Sequence, residues 1–540
     1  MKLFGRRRVG RRAVVPIAIM FAAALLTACT SSSGDGSSAG GSSGGSSAVA
    51  VDSNNGVINW AYTSDQPNWD PVVVGATSAT QILSTIYEPL FTLTPAGTIA
   101  PALAESYKYN SAGTAVTITL KSGLKFQDGS PVNAAAVVFN VNRIKTQTNS
   151  ALKALWQDVA SATAIDDTHV LLTLKSVDYQ IPYILANRSS LLASEQAAKD
   201  PNKLNTQLPV GAGPFKVVSY TPGSEMTVEK YDGYWDAKDI HVQTVHIFLS
   251  VDPATLLQGL QTGQYNFAPG LPAQDVKGAE AAGLNVSTST AHGWGVEFLN
   301  LNINQAPFNN PHVVKAVQYA INRQQLVSQL TFGLGTADYQ EVPTVSPLYN
   351  PALNSSIFPY DPAAAKQELK EAGIAPGSLT INLDFQGSLS APAELVQQQL
   401  QAVGINLNLV SQQVNQFYAG FYANAQDKKT DSFTLYGWVG RDSKLATLDD
   451  QFSSTGIINL SAPTISPGYT AVRDKVRQTP LDSPDYKSVL QAAELEAVEG
   501  GSNIFLYSTP TIYATGKGWS AFPAIDGSFR WNGLVVGGES

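Results

Sequence analysis

The chain has 540 residues, enough to bury several cores and to divide into two or more domains. Hydrophobic residues make up 44% and charged residues only 14%, with 44 Gly and 30 Pro, which excludes a coiled coil or a disordered chain and fits a large α/β protein. The formal charge is −8, and removal of Met1 to Ala28, with its six basic residues and no acid, would leave 28 basic against 42 acidic residues, or −14; such a surface excludes nucleic acid as an expected partner.

Residues 1–28 have the layout of a secretory leader: basic residues Arg6, Arg7, Arg8, Arg11 and Arg12, an apolar run from Ala13 to Leu26, then small residues. The run is 14 residues long, against the ~20 a membrane-crossing helix needs, so a removed signal is expected rather than a permanent anchor. Leu26-Thr27-Ala28-Cys29 resembles a bacterial lipobox, whose cysteine carries lipid after cleavage. Cys29 is the only cysteine, so no internal disulfide and no cysteine-based metal site can form. The alternative is a chance cysteine at the end of the leader. Residues 30–47 are nearly all Ser and Gly, a flexible tether that cannot bury a core. Gly36-Ser37-Ser38-Ala39-Gly40 matches a hydrolase nucleophile elbow only formally, because no strand or helix flanks it.

Regular patterning runs from Val57 to about Val536. Alternation at Val116, Ile118 and Leu120 predicts a strand closed by Lys121-Ser122-Gly123, and His169 to Leu174 predicts another. Between them, Ser130 is expected to cap a helix with Pro131 at its first position and Val137, Val141 and Ile144 on one face. Asn310 and Pro311 predict the start of a helix with the stripe Val313, Val317, Ala320, Ile321 and Val327. Asp361-Pro362 starts another that stops at Gly373, and a third, with Leu395, Val396, Leu400 and Val403, stops at Gly404 before the strand Ile405, Leu407, Leu409. Helix and strand in alternation predict an α/β layered fold, and the stripes are read as core.

No catalytic or metal constellation stands out. His241 and His246 would fall on opposite faces of a strand, and no H-E-x-x-H, P-loop or dinucleotide motif is present. Asp166-Asp167 and Asp449-Asp450 read as solvated turns or helix starts. Of eight tryptophans, Trp294 and Trp438 sit in Gly-containing contexts, His292-Gly293-Trp294-Gly295 and Tyr436-Gly437-Trp438-Val439-Gly440, that suit either a cleft or the core.

Taken in order, the residues resemble the extracytoplasmic solute-binding proteins of the family 5 peptide/nickel class, which serve ATP-driven (ABC) importers. The likeness is carried by Trp69-Asp70-Pro71, Tyr87-Glu88-Pro89-Leu90-Phe91, the block from Ala100 through Gly123-Leu124-Lys125-Phe126-Gln127-Asp128-Gly129 to Asn142, and Val210-Gly211-Ala212-Gly213-Pro214-Phe215. Tyr231 to Trp235, Ala306-Pro307-Phe308-Asn309-Asn310 with Val313 to Arg323, Tyr360-Asp361-Pro362 and Gly437-Trp438 continue it. The resemblance implies a two-lobed periplasmic-binding-protein fold of the three-region, oligopeptide-binding type. Its expected parts are signal 1–28, tether 29–50, a discontinuous lobe I (51–95, 208–292 and 506–540), an extra subdomain 96–207 and lobe II 293–505.

It also implies a lipid-anchored receptor outside the cytoplasm that is not an enzyme, needs no cofactor or metal and acts as a monomer. Its partners would be a peptide or other polar solute, an ABC permease and ATPase complex, and the membrane. The expected ligand-binding residues are Trp438, Arg441, Asp442, Trp294, Asn302 and Gly75. Many family members place an aspartate three residues after the Gly-Trp tryptophan to hold a peptide's amino group; here that residue is Arg441. An arginine facing an ammonium at ~4 Å costs roughly 4 kcal/mol at an effective dielectric of 20. Either Asp442 takes the role or the ligand lacks a free amine and offers Arg441 a carboxylate or phosphate. Ala135-Ala136 and Asn266 also depart from the family pattern and are expected to alter only surface and packing. The competing readings are a lipid-anchored hydrolase of wall peptides or sugars, for which no motif speaks, and a binding or signalling lipoprotein that feeds no transporter.

Overall fold

In the computed structural model the chain divides into two compact units, residues 1–50 and 51–540. The described residues fall in the second: 56–65, 68–74, 79–200, 204, 208–289, 294–413, 416–417, 433–441, 443–461, 468–516, 519, 524–525 and 528–536. The leader, Cys29, the Ser/Gly stretch, His292, Gly75 and Asp442 lie outside them.

Two mixed sheets organise the body. The first has seven strands in the order Asn285–Thr288, Ile512–Thr515, Phe267–Pro269, Gly56–Ala61, Val242–Phe248, Glu225–Lys230 and Phe215–Thr221. It draws on both ends of the described chain. Trp60, Phe215, Phe267 and Trp531 fill one face, while Leu256, Leu260, Ala279 and Ala514 fill the other. Asn266 stitches the central strand, accepting Asn59 N at 2.7 Å and donating to Val57 O at 2.9 Å.

The second sheet has six strands in the order Thr336–Ala337, Asn503–Pro510, Trp294–Leu301, Phe433–Trp438, Leu379–Gln386 and Ile405–Gln412. Leu299, Leu301, Leu383 and Leu435 pack under the helices Pro311–Ala320, Pro362–Glu371 and Ser390–Val403. Val296, Phe298 and Tyr436 face the helices Lys444–Phe452, Tyr469–Gln478 and Tyr486–Glu499. A third, antiparallel sheet of Ala104–Tyr109, Ala115–Leu120, His169–Leu174 and Val159–Ala164 packs with the helix Ala134–Thr146 around its own core, which includes Phe126, Val137 and Trp156.

The chain passes between the two large sheets at 289–294 and again at 510–512. The two passages are tied: Ser289 N donates to Thr511 O at 2.8 Å, Thr511 N to Ser289 Oγ at 3.0 Å, and Trp294 Nε1 to Ser289 O at 3.3 Å. The second passage comes after Pro510, since Asn503–Pro510 pairs wholly within the six-stranded sheet; the expected border at 505/506 falls inside that strand.

Most family-like motifs meet at one junction. Gly211 and Gly213 press on Ile86, where a Cβ on Gly211 would collide with the Ile86 carbonyl oxygen and one on Gly213 would lie 2.6 Å from the carbonyl carbon. Gln127 closes the junction, donating to Ile86 O, Gly213 O and Phe215 O at 2.8, 3.2 and 2.6 Å and accepting Gly211 N at 3.0 Å. Asp70 pairs with Arg143 at 2.5 Å, and Tyr87 OH donates to Trp69 O at 3.0 Å. These residues join the seven-stranded sheet's core to the third layer by packing and hydrogen bonds.

Local signals place most helix ends. Asn310 caps Pro311–Ala320 through His312 N, Asp361 caps Pro362–Glu371 through Ala363 N and Ala364 N, and Gly404 closes Ser390–Val403 at φ +97°. Two expectations fail. The first helix starts at Ala134 under the cap Asn133, because Phe126 N binds Ser130 O and Val132 N binds Leu124 O, holding Ser130 and Pro131 in a tight hairpin. The stripe from Val313 to Val327 is two helices, Pro311–Ala320 and Arg323–Leu330, broken where Ile321 adopts extended backbone.

Candidate functional site

Along Phe433–Trp438, Leu435 enters one core of the second lobe while Tyr436 and Trp438 turn to the other. Gly440, at φ +90°, then bends the chain; a Cβ there would meet Thr447 Oγ1 at 2.9 Å. Arg441 N donates to that same oxygen at 2.7 Å, and Ser443 caps the following helix through Ala446 N. This strap fixes Arg441. Its guanidinium lies 5.1 Å from the Trp438 ring centre, and its Nε donates to Asp450 Oδ2 at 2.5 Å. Burial pushes the Asp450 carboxyl up while Arg441, and more weakly Arg188, pull it down. Arg188, from the third layer, donates to Val74 O at 3.2 Å and is buried. Trp438 Nε1 is buried with no hydrogen-bond partner.

Beside Asp450 lies a cavity of about 190 Å³ between the third layer and the helices of the second lobe. Asp158, Asp178 and Gln180 line one side; Ser443, Asp449, Asp450, Arg473 and Arg477 line the other. Arg477 spans it, with Nη1 2.5 Å from Asp158 Oδ2 and 4.0 Å from Asp178 Oδ2, and Nη2 3.3 Å from Asp449 Oδ2. Tyr179 N donates to Arg477 O at 2.8 Å, and Ser443 Oγ and Tyr486 OH donate to Gln180 Oε1 at 3.2 and 3.0 Å. Burial raises Asp178 to about 6 against the pull of Arg477. Gln180 is 5% exposed and its Nε2 has no partner, so the cavity offers a dry donor among paired charges.

The expected site residues separate. Trp438 and Arg441 come together. Trp294 stands two residues before Val296, the register partner of Trp438, and so borders the same region at the interlobe passage. Asn302 does not join them: it is 2% exposed and its Oδ1 accepts Asn304 N at 3.1 Å, a turn at the far end of its strand, roughly 26 Å from Trp294 at ~3.3 Å per residue. Asp449 and Asp450 are corrected from a solvated pair to part-buried partners of Arg477 and Arg441. Arg188, Gln180 and Arg477 escaped the sequence reading; the one local hint was the i,i+4 spacing of Arg473 and Arg477 on an amphipathic helix. Elsewhere, His312 Nδ1 lies 2.6 Å from Glu368 and 3.4 Å from Glu371, a group whose donor atoms could hold a metal ion. Imidazole–carboxylate pairing accounts for it equally.

Among the described residues no helix is long and apolar enough to cross a membrane. Residues 98–459 match the family model described as bacterial extracellular solute-binding proteins, family 5, middle. The glutathione-binding protein GsiB of Escherichia coli (strain K12) is 30% identical over 372 residues, 68% of this chain and 72% of that protein. In fold, the chain is similar to the ABC transporter substrate-binding protein CtaP of Listeria monocytogenes, with TM-score 0.77 and 21% identity over 89% of this chain and 99% of that one. It is likewise similar to DppA of Helicobacter pylori in complex with a peptide, TM-score 0.77 and 19% identity over 90% and 99%. AgaA of Agrobacterium tumefaciens in complex with agropinic acid gives TM-score 0.75 and 24% identity over 87% and 95%. These structures share the two-lobed architecture. The chain belongs to the family 5 bacterial extracellular solute-binding proteins, the extracytoplasmic substrate-binding receptors of ABC importers, which are binding proteins rather than enzymes.

Proposed function

We propose that this receptor is held to the membrane by lipid on Cys29 and closes on a peptide-like or other polar solute carrying an acidic group, which it passes as a monomer to its permease. The strap at Arg441 carries the solute reading. One guanidinium N–H is spent on Asp450, and the remaining donors sit beside an indole N–H that has no partner. A solute carboxylate would meet both in a partly dry site, where paired donors are strong. Relatives named for glutathione, a bound peptide and agropinic acid support a polar, acid-bearing ligand. Trp294, near the interlobe passage, would report closure.

Tryptophan fluorescence of the purified receptor, titrated with alanine tripeptide and with its C-terminal amide, tests this. The free acid should bind about ten-fold tighter, and Trp438→Ala should lose that preference with most of the affinity. Equal binding of acid and amide would refute the role of Arg441, and an unchanged Trp438→Ala would remove the indole from the site. Intact mass of protein recovered from host membranes should show a diacylglycerol on Cys29. A mass lacking it would refute the anchor alone.

A further inference from the structure

The helix Arg323–Leu330 ends in a tight turn. Leu334 N donates to Thr331 O at 3.0 Å, and the two central residues, Phe332 and Gly333, stand at φ +53° and +88°. Two left-handed central residues are the pattern of a type I′ turn, whose first central position suits Asn, Asp or Gly. A phenylalanine there is strained, because its Cβ crowds the backbone. Nothing inside the protein offsets that strain. Phe332 is 58% exposed and joins no hydrophobic core among the described residues.

The turn is nonetheless held firmly, and from both sides. Thr331 Oγ1 donates to Val327 O at 2.8 Å and accepts Gly335 N at 3.1 Å. Gly335 lies against Asn503–Pro510, where a Cβ would come within 2.6 Å of Ser508 O, and Thr336 and Ala337 pair with Ser508 and Tyr507. Leu334 packs instead on the core of the seven-stranded sheet that includes Leu256, Leu260 and Ala514. Ser508 stands just before the passage that follows Pro510, so the turn straddles the border between the lobes. Val345, 47% exposed, adjoins it: the preceding Thr344 donates its Oγ1 to Thr336 Oγ1 at 3.3 Å.

An aromatic ring held out in water on a strained backbone finds compensation only in a complex. We propose that Phe332, with Val345, is a docking finger that inserts into an apolar pocket on the extracytoplasmic face of the ABC permease. Two observations select this partner. The receptor's role brings it to a permease, and the turn rests on both lobes, so its position follows the angle between them. A permease that grips the turn thereby reads whether the receptor is closed. A bilayer surface would need a broader apolar face than one Phe and one Val. This inference rests on the receptor delivering its solute to a permease.

The test irradiates host cells holding the full-length receptor with photoreactive p-benzoylphenylalanine in place of Phe332, beside receptors with the same residue singly in place of the exposed Ile165, Leu208 or Trp235. Mass spectrometry should identify the permease in the adduct from position 332, at a yield at least about five-fold above the other positions. Permease adducts from another position but not from 332, or equal yields from all of them, overturn the finger and leave delivery to a permease intact. An adduct at 332 only with lipid or with a second copy of the receptor assigns the turn to that surface and overturns the proposal. No permease adduct from any position overturns both. A second variant checks the strain without the permease: Phe332→Asn should raise the melting temperature by about 1 °C or more and leave solute affinity in solution unchanged. A lower melting temperature would show that the ring serves the receptor's own fold, and would overturn the proposal.

Discussion

The junction at Ile86 and the cavity at Arg477 are both built where separate layers of the chain meet, yet on opposite principles. At the first, backbone packs on backbone through Gly211 and Gly213, and Gln127 spends both ends of its amide on neighbours. At the second, the contact is made by long charged side chains around open volume, and Gln180 Nε2 is left without a partner. A joint with no spare bonds holds one geometry. A joint of arginine–aspartate pairs over a cavity can open, because water replaces ion pairs more easily than close packing.

Adding one methyl at the junction should therefore do the most damage. Gly211→Ala drives a Cβ into Ile86 O and should cost about 3 kcal/mol or more, read as a lower urea midpoint. Arg477→Ala leaves Asp158, Asp178 and Asp449 facing one another. The pair is part-buried, so about 2 kcal/mol is expected, seen as weaker solute binding more than as global unfolding. Comparable loss of stability in both variants would erase the contrast between fixed and opening joints.

A third effect is a pH slope. Glu341 and Glu494 are raised by burial to about 8, and Asp338 and Glu88 to about 7. Folded values above the ordinary carboxyl value mean stability that is fully present near pH 4 and lost as pH rises to about 8. The melting temperature should fall across that window, and Glu341→Gln should flatten the fall. A slope of the opposite sign would show these groups ionised in the folded protein.

What could be read from the chain was what short segments decide. Asn310, Asp361 and Gly404 act on their own next turn, and the strand His169–Leu174 follows its own alternation. Ser130 misled because Leu124 and Phe126 recruit its neighbourhood into a hairpin, a tertiary contact that overrides a good capping pattern. The same limit governs the site. Trp438 announced itself by its glycines, and Arg441 by standing where an acid was expected. Asp450, Arg188 and Arg477 matter only through partners nine to hundreds of residues away.

The strand Ile512–Thr515 has a consequence for how the molecule comes into being. It lies between Phe267–Pro269 and Asn285–Thr288, so both of those strands present open edges until Ile512–Thr515 has left the ribosome. The second sheet needs nothing beyond Pro510, whereas the first stays incomplete until Ile512–Thr515 has been made. Synthesis thus completes the inserted lobe before the lobe that began it, and a chain stopped short of Ile512 would keep two adhesive edges that holding chaperones must cover.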